Sequence, residues 1–231
     1  MKLQEANQQL YLIFGKYSPK APMDTCPCGC ISDDDKSKLL SKDLKELTTD
    51  DISKYAFKAM STWGNVEDFK HFLPRILELM STTGIGTDSF VILKKLEDGD
   101  WNQWPTMEQN AIREFLIAWW NNLTNRKYAD LNTELVPIHK ALGTTDPLLE
   151  HWIINIQDES FRNYVEFMFD NFNALKECHA FRDLGQSSQQ KLFTFLIENA
   201  KNLEEGFFYY ELKDQEFAKR ISDIQYTVEH A

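Results

Sequence analysis

Apolar residues recur along this chain at three- and four-residue intervals, and the pattern breaks at glycine, proline and short polar clusters. A helix turns once every 3.6 residues, so this spacing lays the apolar side chains along one face that needs a partner surface. Leu3, Ala6, Leu10, Ile13 and Phe14 form the first such stripe, within residues 2–15. Ile52, Tyr55, Ala56, Ala59 and Met60 form another, running to Trp63 and Gly64. A third holds Phe69, Phe72, Leu73, Ile76, Leu77 and Met80, with Pro74 inside it, where a kink is expected because one backbone hydrogen bond is lost. Further helices are expected near 88–97, 105–124, 130–142, 146–156, 158–178, 187–203 and 212–228. The glycines at 15, 64, 84, 86, 99, 143, 185 and 206 fall between stripes and read as helix ends.

Helix starts agree with this division. Ser32 with Asp35, and Thr48 with Asp51, have the spacing of a capping box, and Asn65 stands where it can cap the helix that follows. The acidic run Asp33 to Asp35 then lies at the positive end of a helix dipole, and it lacks the glycine and glutamate positions of a calcium loop. "GFFYYELK", residues 206–213, is the one stretch with β-propensity; a lone strand would have no partner, so it reads as a buried helix start or loop. The expected fold is all-α: a single domain over residues 1–231, about ten helices packed as consecutive antiparallel hairpins in a HEAT-like array or compact superhelix. A cysteine-containing loop is expected at 16–32.

Composition narrows the class. With 42% hydrophobic and 13% aromatic residues the chain can build a real core, and no low-complexity tract or linker divides it. A formal charge of −11 argues against nucleic acid, which is met by clustered cations. The lysines between Lys36 and Lys45 are interleaved with acids and read as a solvated helix face. Near the N-terminus the apolar run that holds Tyr11 to Phe14 is too short for a signal segment or a membrane span, so a cytoplasmic location without membrane contact is expected.

The common catalytic motifs fail on inspection. "TGIGTDS" has neither the third glycine of a dinucleotide fingerprint nor the lysine of a P-loop, and no Gly-x-Ser-x-Gly elbow occurs. Asp68-x-x-His71 occurs once, where a di-iron bundle needs paired elements. Trp101 and Trp104 could anchor a protein partner or plug a loop onto the core. "CPCGC" is the exception. Cys26, Cys28 and Cys30 alternate with Pro27 and Gly29, so that one turn is restrained and the next is freed, and the thiols could converge on zinc or copper(I). A structural zinc would draw a fourth ligand from His71, Cys178 or His179. Two alternatives stand beside it: a tight turn with partly buried free thiols, and a redox site in which Cys30, just before a helix start, is the activated thiol.

From "CPCGC" through "YAFKAMSTWGNVEDFKHFLPRILEL", about residues 26–80, the chain resembles a family of uncharacterised bacterial proteins. The resemblance implies no activity; it implies that Cys26, Cys28, His71 and Arg75 belong to one local structure. The leading expectation is a non-enzymatic cytoplasmic interaction or regulatory domain that offers an acidic, aromatic-containing surface to another protein. The alternative is a zinc-binding or thiol-redox protein using Cys26, Cys28, Cys30 and His71. A third is an enzyme assembling dispersed carboxylates with His139, His151 or His179.

Overall fold

The computed structural model describes residues 1–20 and 22–230. Among these the fold is all-α. The helices are α1 (Leu3–Phe14), α2 (Asp33–Leu40), α3 (Thr49–Lys58), α4 (Val66–Thr82), α5 (Ser89–Asp98), α6 (Thr106–Thr124), α7 (Leu131–Leu142), α8 (Asp146–His151), α9 (Glu159–Lys176), α10 (Gln186–Asn199), α11 (Leu203–Tyr210) and α12 (Gln215–Glu229), with four short 3-10 turns between them. The described residues contain no strand, only isolated bridges from Trp63 to Thr25 and Ala59. No helix among them is long and apolar enough to cross a membrane. The chain gathers into two compact units, Met1–Trp119 and Trp120–Ala231, and the boundary falls inside α6, where neither glycine nor proline marks it.

In the N-terminal unit α1 packs on α4, α2 on α3, and α3 on both α4 and α5, so partners are not confined to neighbours in the chain. The caps read from sequence are in place: Ser32, Thr48 and Asn65 each close a capping box with the acid three residues on. Pro74 is buried and lies inside a continuous α4. The helix of the Ile52 stripe stops earlier than its apolar pattern, at Lys58, because Met60 takes a left-handed backbone conformation (φ 61°) and its N–H bonds to Trp63 O instead. The turn this makes, residues 59–64, is the shelf on which the cysteine loop rests.

One buried ionic cluster ties this unit together. Glu108 of α6 is 0% exposed. It accepts hydrogen bonds from Tyr17 (2.7 Å) and Lys70 (2.8 Å) and pairs with Lys16 (2.7 Å). The Lys70 ammonium also lies 4.2 Å from the centre of the Trp104 ring, a cation–π contact. Burial by itself would raise the Glu108 pKa; the hydrogen bonds from Lys16, Lys70 and Tyr17 outweigh it and hold the carboxyl below its ordinary value.

In the C-terminal unit α9 packs against α7, α10 and α12. Its core is aromatic: Trp152 meets the rings of Trp120, Tyr164, Phe167 and Phe195 at 5.5–6.5 Å. Of the stretch 206–213, residues 206–210 are helical and belong to α11 while 211–213 form a turn, and Gly206 sits within α11 rather than at a helix end. Its missing side chain is the reason. A Cβ there would overlap the buried ring of Phe161, so glycine lets α11 approach α9 closely enough for Tyr210 to stack on the same ring at 6.2 Å. Gly185 both ends the 3-10 turn Arg182–Leu184 and precedes α10.

Two outcomes follow from these contacts. Gly206→Ala forces the Phe161 ring or α11 to shift and should lower stability by about 1–3 kcal/mol in urea unfolding; an unchanged midpoint would show that the close approach is not needed. Glu108→Gln should cost about 3 kcal/mol at neutral pH, since it leaves Lys70 buried beside a neutral group. Because the folded pKa of Glu108 is lowered, its contribution is complete above the unfolded value of about 4.3 and fades as the pH falls through the folded value. The variant should therefore lose stability less steeply in acid than the parent chain, as denaturant midpoints measured across pH would reveal.

Candidate metal centre

Between α1 and α2 the described residues form no helix, and three prolines at 19, 22 and 27 limit the conformations the chain can take. What seats it is a row of hydrogen bonds to α4 and to the shelf before it. His71 Nδ1 lies 2.8 Å from Tyr17 O, and Lys20 N–H donates to Asp68 Oδ1 (2.7 Å). Gly64 N–H donates to Asp24 O (2.7 Å), and Cys26 N–H to Thr62 O (2.9 Å). Met23 and Ile31 are buried on either side of the cysteines. The loop is thus pinned at Cys26 and again at Ile31, and the turn between them stands outward with Cys28 exposed.

Within that turn Gly29 adopts φ 74°, a left-handed conformation that other residues reach only with strain, and it folds the chain back on itself. The sulfurs of Cys26, Cys28 and Cys30 consequently all lie within 4.8 Å of one another. Sulfurs that share one cation at about 2.3 Å stand roughly 3.8–4.0 Å apart, so rotation of the side chains suffices to close the set. The Cys28 N–H donates to Cys26 Sγ (3.4 Å), a further tie within the turn. All four cysteines of the chain are free thiols.

The three thiols are unequal. Hydrogen bonds from the Cys26 and Cys30 side chains lower the Cys28 pKa to about 7. Cys30 is pushed up, chiefly because it shares that hydrogen with Cys28. Both shifts favour the thiolate at Cys28 over Cys30.

The other expected site residues lie elsewhere. His71 faces the Tyr17 carbonyl and presents its ring against Phe72 (4.6 Å), so it serves to hold the loop and is not brought into the sulfur cluster. Asp68 does the same work, accepting from Lys20 and from Asn65 N–H (2.9 Å). Arg75 binds Leu47 O (2.7 Å) and Glu78 (2.6 Å), away from the cysteines' own bonds. In the C-terminal unit His179 pairs with Glu177 (3.3 Å), His151 bonds the Pro147 carbonyl (2.8 Å), and burial lowers the pKa of His139. Among the described residues, the three cysteines form the one cluster of three metal-ligating groups.

Trp101 and Trp104 are not partner anchors. They are 2% and 7% exposed. Trp104 donates to Gly99 O (2.8 Å) and packs between Phe14 and Phe69, while the Arg113 guanidinium covers Trp101 at 4.9 Å. Their indoles fill the base of α5 and α6, where the apolar area they bury outweighs what an exposed position would leave in water.

Compared with known protein families, curated proteins and solved structures, the chain matches none. Its chemistry is therefore argued from the site alone. Alkylation should single out Cys28: its rate with iodoacetamide, followed by peptide mass spectrometry, should rise through a midpoint near the thiol's value of about 7. Cys30 should respond only at higher pH. A reversed order would place the thiolate on the wrong sulfur.

Proposed function

We propose that Cys26, Cys28 and Cys30 hold one thiophilic d10 cation, zinc(II) or copper(I), in an exposed three-sulfur site, and that the chain acts in handling that metal rather than in using it to fold. The observation that carries this reading is the convergence of three sulfurs on a loop already pinned by backbone hydrogen bonds. Soft thiolates select these cations over magnesium or calcium. Three sulfurs complete the coordination of copper(I), whereas zinc would keep a fourth position for water or for a ligand from another molecule. Exposure of Cys28 supports exchange, since an incoming thiolate can reach the metal from solvent.

The loop's own anchors distinguish this from a structural zinc knuckle. Tyr17, Lys20, Asp24 and Cys26 are fastened by bonds that involve no cysteine sulfur, and Met23 and Ile31 are buried independently of any ion. The reduced apo chain should bind one equivalent of copper(I) or zinc(II) in competition with a chromophoric chelator. Cys26→Ser/Cys28→Ser/Cys30→Ser should abolish this binding and leave helix content and thermal midpoint unchanged, while His71→Ala should keep the metal. Acid should release the ion, because each thiolate must be reprotonated. Copper(I) held far more tightly than zinc assigns a three-coordinate site. Retention of metal by the triple variant would overturn the proposal.

A further inference from the structure

A second surface, in the C-terminal unit and independent of the sulfurs, bears the marks of a docking groove. Four successive aromatics, Phe207 to Tyr210, occupy α11. Successive residues of a helix point about 100° apart, so such a run cannot bury every ring. Tyr210 stacks on Phe161, and Lys213 covers Tyr209 with its ammonium 3.1 Å from the ring centre. Phe208 is left 61% exposed, and on α12 Tyr226 is 65% exposed. Single exposed apolar residues are ordinary, but these two line one groove of about 350 Å³ together with Phe207, Glu204, Ser222, Gln225 and Glu229. The spacing 204, 207, 208 and 222, 225, 226, 229 puts each set on a single helix face.

The groove's charge selects its occupant. Glu204 and Glu229 stand at its wall, and no lysine or arginine lines it. The nearest arginine on α12, Arg220, is paired with Glu166. An aromatic floor beside two carboxylates fits a segment that carries apolar side chains flanked by cations. Because the floor runs along two packed helices, and the described residues offer no strand edge, the matching shape is a helix laid in a groove. A second copy of this chain fits poorly, since a two-fold interface would set glutamate against glutamate. We propose that the groove between α11 and α12 docks a basic amphipathic helix of another protein, its apolar side chains on Phe207, Phe208 and Tyr226 and its lysines or arginines against Glu204 and Glu229.

The test uses the full chain and a fluorescein-labelled amphipathic peptide of four turns, leucine on one face and lysine on the other, followed by anisotropy near physiological ionic strength. Phe208→Ser/Tyr226→Ser should weaken binding at least about tenfold, as for residues central to an interface. Glu204→Gln/Glu229→Gln should weaken it by about as much, whereas Asp33→Asn/Asp34→Asn, which removes equal charge from exposed positions on α2, should not. The same peptide with glutamate for lysine should not bind. All three double variants alter exposed positions, and circular dichroism confirms that they stay folded. Absence of binding, equal loss from the two charge-removing pairs, or concentration-dependent self-association abolished by Phe208→Ser/Tyr226→Ser would each overturn the proposal, the last by making a second copy the occupant.

Discussion

Two carboxylates buried in the N-terminal unit, Asp68 and Glu108, constrain everything around the cysteine loop. A carboxylate taken out of water is tolerated only when its oxygens are met by donors held in place. Asp68 finds them in the N–H groups of Lys20 and Asn65, and Glu108 in Tyr17, Lys16 and Lys70. Lys16, Tyr17 and Lys20 all belong to the chain between α1 and α2. Unseating that loop would strip both acids of partners at once, so the loop has one well-determined path, and the position of Cys26 follows from it.

That constraint bears on the chemistry of the sulfurs. A knuckle that needs its ion to fold spends the binding energy on ordering its own backbone. Here the ordering comes from buried carboxylates and from the Thr62 and Asp24 carbonyls, so the cation binding we propose would act on a loop that is already seated. A preorganised and solvent-facing ligand set of this kind suits capture and release better than permanent bracing. The aromatic core of the C-terminal unit works by a different principle. There Gly206 trades helix propensity for close approach to Phe161, and the surplus rings of α11 emerge on the surface beside acids.

Much of the fold was legible because its signals are local. A capping box spans four residues, and an apolar stripe repeats every turn, so the starts of α2, α3 and α4 and the faces of α1 and α4 could be read without knowing what they touch. The candidate ligands were legible for the same reason: three cysteines stand on alternate positions with proline and glycine between them, and the left-handed Gly29 then folds them together. The early stop of α3 at Lys58, set by the left-handed backbone at Met60, was not, and neither was the placement of Gly206 inside α11, which depends on the Phe161 ring from far along the sequence.

By itself, then, the sequence determined the helical class and the caps, which arise from backbone geometry within a few residues, and it set three thiols where they could converge. Only the tertiary structure decided that His71 holds a carbonyl rather than joining the sulfurs, that Cys28 is the acidic thiol, that Trp101 and Trp104 face inward, and that Phe208 and Tyr226 share a groove. Burial and partnership are set by which distant surfaces meet, and a linear pattern records that a residue is apolar or ionisable without recording what it will be pressed against.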